Sequence, residues 1–235
     1  MVCTGIIAGP SSSCGVIFDH VSLENRVVSV YMKIDQVMLK EMLDAKAVGI
    51  YAAAVKLCEA WYFVPTAITA SLFPAILSAK QKSKPIHQDR LQKLYDLMVW
   101  GSVAIALPTT LLADWLIIFL YGIEFKEAAD VLRIYIWAGV FIFLGVASFK
   151  WLVAENLQHF SFYLYTIGSI VNIGCNWFLI PVYGINGAAL ATFVSYGIGS
   201  YGGFIIFRKS WSNFLMATQS FSPYGVYKRF ADQKL

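Results

Sequence analysis

The sequence predicts an all-α protein, a polytopic transmembrane bundle of about six helices, and three observations carry that reading. Of the 235 residues, 58% are hydrophobic and only 14% charged, against roughly 45–50% and about 25% in soluble domains. A fold in water cannot hide that much apolar surface. Phe160–Phe207 runs for 48 residues without Asp, Glu, Lys, Arg or His, where one crossing needs about 20. The basic residues gather between and after the apolar runs, the arrangement that orients a membrane protein.

The elements follow in chain order. A first helix is expected over 20–41, carrying Lys33 and Asp35 within Val27–Leu39. The second, 47–79, contains the charge-free run Ala60–Ala79 with Pro65 and Pro74. Lys80–Lys93, with five basic residues and one acid, reads as a solvated loop. The third helix, 94–120, is built on Leu97–Ala113 with Pro108 inside it. The loop Tyr121–Asp130 is acidic through Glu124, Glu127 and Asp130, against one Lys126. A fourth helix, 130–153, surrounds Ile134–Phe149. The fifth and sixth, 159–180 and 186–208, divide the long uncharged stretch at Pro181–Gly187.

Residues 209–235 are polar and aromatic and read as a tail. After Phe207, Arg208, Lys209, Lys228, Arg229 and Lys234 face Asp232 alone. The positive-inside rule places this tail and the basic loop in the cytoplasm, and the topology closes with an even number of crossings. The chain divides into an atypical N-terminal segment 1–26, a six-helix lobe 27–208 and a cytoplasmic tail 209–235.

Composition and motifs exclude several functions. Cys3, Cys14, Cys58 and Cys175 form no CxxC or Cys/His spacing, so neither a metal site, a cofactor site nor a disulfide framework is indicated. The first 18 residues lack the basic start of a cleaved signal. The net charge of +4 resides at helix ends, which argues against nucleic acid as a partner. No HExxH, GxSxG or Walker motif occurs, and His20, His87 and His159 are scattered. No catalytic residue is assigned and the chain reads as a non-enzyme, with membrane lipids as its surroundings.

The informative residues are the charges inside apolar helices, because one at mid-bilayer costs at least about 2.5–3.5 kcal/mol and usually faces a cavity or a partner. Lys33 and Asp35 are two apart, about 200° around a helix, and cannot pair directly. Lys56 and Glu59 are three apart on one face, where an ion pair lowers the cost of both. Asp35, Lys56 and Glu59 are therefore candidates for either a structural or a functional role. Lys33, Asp114, Arg133 and Lys150 lie nearer helix ends, where snorkelling suffices. Gly199–Gly203 has GxxxG spacing, and Gly184–Ala191 opens a helix with small residues. Asn172 and Asn176, four apart, can bond a neighbouring helix or line a polar cavity.

Three groups of residues carry a resemblance to a known family: Tyr31–Leu39, then Val48–Pro65 and Ser71–Ile76. Leu120-Tyr-Gly, Ala128–Leu132, Lys150-Trp-Leu and Asn176–Thr192 follow in the same order. Together they resemble the second half of a Wzx-type O-antigen flippase. That is a branch of the polysaccharide transporters within the multidrug/oligosaccharidyl-lipid/polysaccharide exporter superfamily.

The resemblance implies one lobe of a MATE-like transporter in the bacterial inner membrane. Its substrate would be an undecaprenyl-diphosphate-linked O-antigen or oligosaccharide repeat unit, flipped by alternating access between two lobes. On this sequence the matching positions are Lys56 for the anionic substrate, and Asp35 and Glu59 for ion coupling or structural pairing. Members of the family have about twelve helices, and this chain resembles the last six. The stretch before Val27, with Ser11–Gly15, Asp19, His20 and Glu24–Arg26, looks like sequence foreign to the family.

An N-terminal lobe or a second copy of the chain would complete the cavity. Three other readings stand beside the flippase: a truncated remnant that transports nothing, a multidrug exporter of the same superfamily, and a membrane sugar polymerase. The last needs clustered catalytic residues in a large loop, and the expected loops are short and lack them.

Overall fold

The computed structural model describes residues 33–205 and 210–231. The expected segment 1–26 and the larger part of the expected first helix lie outside the described residues, as do Arg208, Lys209, Asp232 and Lys234. Within them the chain is the all-α bundle that the sequence predicts. Helix α1 covers 33–42, followed by α2 (Ala45–Glu59), α3 (Phe63–Lys82), α4 (Lys84–Leu111) and α5 (Ala113–Tyr121). After a short turn come α6 (Ala128–Ala154), α7 (His159–Tyr183), α8 (Ile185–Ser200), α9 (Trp211–Ser220) and α10 (Pro223–Ala231). Among the described residues, Ala45–Lys82, Lys84–Leu111, Ala128–Ala154 and His159–Tyr183 are long and apolar enough to cross a membrane.

Local chemistry sets the boundaries. The Asp44 carboxylate caps α2 by accepting from the Ala47 amide at 2.7 Å, a contact worth about 1 kcal/mol. The expected second helix breaks at 60–62. Pro65 cannot donate to the carbonyl of Trp61 and its ring crowds that group. Tighter turns replace the missing bond, with Tyr62 N donating to Glu59 O and Val64 N to Trp61 O. Pro65 then sits in the first turn of α3, where no N–H is required.

Further segments differ from the sequence reading: the expected helix 94–120 is divided at Leu112 into α4 and α5, and the expected helix 186–208 is α-helical from Ile185 to Ser200. Lys80–Lys93 is helical rather than a loop: α3 runs to Lys82, α4 begins at Lys84, and Ser83 alone is extended between them. Lys and Gln are good helix formers, so the charged residues prolong both helices past the apolar span, and Pro85 suits the start of α4.

Trp211–Ser220 and Pro223–Ala231 of the expected tail also form helices, and α9 packs against α4. The Gln92 amide donates to Met216 O at 3.0 Å and Ser220 Oγ at 2.9 Å. Tyr95 donates to Asn213, and Trp100 Nε1 to Ser220 O at 3.1 Å. Arg229 grips the fully buried Asp96 through two bonds of 2.8 Å. That bidentate geometry is the strong form of an ion pair.

Helix α6 is the central post, packed on α2, α3, α4, α5 and α8. Around one half of it gather Tyr51, Val55, Leu132, Tyr135, Ile180 and Ala188. Around the other gather Ile76, Leu94, Met98, Phe143, Leu144 and Trp151. Arg133 clasps Asp114 and, at 2.7 Å, Asp130, so it ties α5 to α6 where the sequence suggests only snorkelling. The α7–α8 connection turns at Gly184 (φ +57°), where side chains are strained. Large apolar side chains stay exposed on the outside, among them Trp115, Phe119, Trp177 and Phe178, as expected of a surface that faces lipid.

Candidate ion-coupling site

Where α1, α2, α7 and α8 meet, the apolar packing gives way to a closed polar cluster centred on Asp35. The carboxylate is 4% exposed. Its Oδ2 accepts from Tyr51 OH at 2.9 Å and from Thr192 Oγ1 at 2.6 Å, and its Oδ1 accepts from Asn176 Nδ2 at 2.6 Å. Asn176 also donates to Asn172 Oδ1 at 3.0 Å, and Asn172 Nδ2 to Ser195 Oγ at 3.3 Å. Ser195 closes the chain on the carbonyl of Thr192 at 3.0 Å.

Sequence spacing explains the convergence. Asn172 and Asn176 are one turn apart on α7, and Thr192 and Ser195 are three apart on α8, so each pair shares a face. Small residues let these two helices approach: a Cβ on Gly187 would lie 2.2 Å from the carbonyl oxygen of Leu179. Tyr51 is held from behind by the edge of the Tyr135 ring, centroids 6.1 Å apart.

Among the described residues no cation pairs with Asp35, and its compensation is hydrogen bonds alone. The Asn176 Oδ1 atom beside it is buried without a partner. An orphaned acceptor of that kind costs about 1–3 kcal/mol. A carboxylate, a hydroxyl and an amide oxygen are the donor set that hard cations prefer. A proton or a small cation arriving here would change the cluster's charge and its hydrogen bonding together.

The other expected site residues lie elsewhere. Lys56 is exposed on α2 and Glu59 is half-buried one turn on. No ion pair joins them among the described residues, because Lys56 points out of the lobe. Neither bonds to Asp35. Tyr51, Thr192 and Ser195 were not anticipated. The signal available for the last two was the polar stripe Thr192, Ser195, Tyr196 on an otherwise apolar helix.

Several helices of spanning length packed around a buried carboxyl cluster fit a multi-pass membrane protein. The profile of the MatE family matches residues 21–178, and the chain belongs to that family. It is also 29% identical over 182 residues to the probable flippase AglR of Haloferax volcanii. That match covers 76% of this chain and 38% of the relative, so the chain spans well under half of the relative's length. No solved structure matches the chain.

Proposed function

We propose that the chain is the C-terminal lobe of a flippase that carries an undecaprenyl-diphosphate-linked O-antigen or oligosaccharide repeat unit across the bacterial inner membrane. No bond is made or broken. The observation that carries the reading is the Asp35 cluster. It joins four helices of a MatE-family lobe through one carboxyl whose charge a proton or sodium ion can alter. Similarity to a probable flippase supports this branch over a drug exporter.

Alternating access requires a second lobe facing this one, supplied by an N-terminal lobe or by another copy of the chain. Lys56, exposed on α2, is then free to attract the substrate diphosphate in the cavity between lobes. Asp35 couples the ion to the rocking motion, and Glu59, half-buried one turn beyond Lys56, is a second acidic group available for coupling. The basic end, with the C-terminus, faces the cytoplasm.

The test is export in a strain lacking its own flippase, with the chain supplied beside an N-terminal lobe. Lys56→Ala is expected to lower surface polysaccharide severalfold at unchanged membrane levels. Export equal to wild type would remove Lys56 from the substrate site. Drug resistance in place of polysaccharide export would favour the exporter reading.

A further inference from the structure

A cavity of about 260 Å³ lies between α3, α6, α7 and α8. Its wall is mainly apolar and aromatic, with Phe149 and Tyr165 among its members, and Thr66 and Ser200 add hydroxyl groups. Lys150 of α6 lines it, half-buried, with its ammonium 5.1 Å from the centroid of the Phe73 ring.

Several basic residues of the lobe have carboxylate partners: Lys80 pairs with Glu155, Lys93 with Asp89, Arg133 with Asp114 and Asp130, and Arg229 with Asp96. Among the described residues no carboxylate pairs with Lys150 and no oxygen accepts from it. Snorkelling alone would carry the ammonium to water, yet the side chain lies over an aromatic ring at the edge of an apolar cavity. An ammonium there has three donors to offer, and a cation–π contact satisfies none of them.

We propose that this cavity binds a phosphate group borne on a lipid chain, with Lys150 as the anion receptor and the apolar wall against the chain. The choice of a lipid-borne phosphate rests on the flippase reading. A single cation rimmed by hydroxyls suits a phosphate oxygen, and the adjoining apolar wall distinguishes a lipid phosphate from a free one. The cavity is also mechanically close to the Asp35 cluster. Thr192, Tyr196 and Ser200 are successive turns of one face of α8: the first bonds Asp35 and the other two line the cavity. An occupant therefore bears on the helix that holds the coupling carboxyl.

The test uses the full chain in detergent, with binding of farnesyl diphosphate, phosphatidylglycerol and inorganic diphosphate each measured by native mass spectrometry. Wild type is expected to hold a lipid phosphate, and Lys150→Met to weaken it about tenfold or more, the loss of one charge-assisted contact. Lys150→Arg should restore most of the binding. Lys150→Met removes a charge from a spanning helix, so insertion should not suffer, and an unchanged thermal unfolding profile verifies that.

Tighter binding of farnesyl diphosphate points to the carried substrate as the source, and tighter binding of phosphatidylglycerol to the membrane; both support the site. Equal binding by wild type and Lys150→Met overturns it, as does inorganic diphosphate binding as tightly as the lipids. Export that persists while Lys150→Met binds normally sinks this inference and leaves the flippase reading intact.

Discussion

Asp35 shows how a charged residue can sit in an apolar bundle without a counter-ion. Three donors from three other helices converge on its two oxygens, so the carboxyl holds the helices together through hydrogen bonds. Asp35→Leu would leave Tyr51, Asn176 and Thr192 with lost acceptors. The expected loss is about 3 kcal/mol, read as a lower midpoint of thermal unfolding in detergent. Unchanged stability would mean that the cluster reorganises without its carboxyl.

The residue-level reading from sequence was uneven for physical reasons. Asp35 stands out in sequence because an intramembrane charge is rare and costly, and the Asn172/Asn176 pair because its spacing fits one helix face. Tyr51 and Thr192 are ordinary residues in apolar helices, and only the closure of four helices gives them a common target. The expected Lys56–Glu59 pair has the right spacing, yet burial pulls the two apart: the lobe interior takes Cys58 and Val55, and Lys56 is left outside.

At the scale of elements, hydropathy locates the spanning helices well because lipid demands long uninterrupted apolar segments. It says less where helices continue outside the apolar zone. Lys80–Lys93 was expected as a loop because it is charged, but charge does not unwind a helix that ends in water. The C-terminal helices were legible even less, since their order comes from Gln92, Tyr95 and Asp96 reaching across from α4. Arg229→Ala leaves the fully buried Asp96 carboxylate with the Gln92 amide and no charged partner, and is expected to cost about 3 kcal/mol. Limited proteolysis near the exposed Phe221–Ser222 turn checks this, with faster cleavage expected; unchanged protection would mean that α10 is held by other contacts.

The α7–α8 corner makes a complementary prediction. Gly187→Ala places a methyl group 2.2 Å from a backbone carbonyl oxygen, so the corner must open. A cost of about 1–3 kcal/mol follows, with Asn176 and Thr192 drawn apart. Thermal unfolding checks the first effect. A distance between spin labels on α7 and α8 checks the second, and an unchanged distance would show that the corner absorbs the methyl locally.

For the whole molecule, the MatE match and the helical bundle establish the class, while the chain spans 38% of the length of its flippase relative. In the proposed assembly one lobe supplies one wall of a transport cavity, which joins the structure of this lobe to a second lobe facing it. The lobe itself is held by α6 and the clusters around it. The proposed assembly depends on whether the Asp35 cluster responds to an ion while a second lobe faces Lys56.

The measurement that reaches this claim most directly is surface polysaccharide in a flippase-null strain. The chain is supplied alone and with an N-terminal lobe, each as wild type and as Asp35→Asn. Restored polysaccharide with wild type in at least one arrangement, and a fall of about tenfold or more with Asp35→Asn at equal membrane levels, is the predicted result. No restoration in either arrangement despite normal insertion, or equal export by Asp35→Asn, would contradict it.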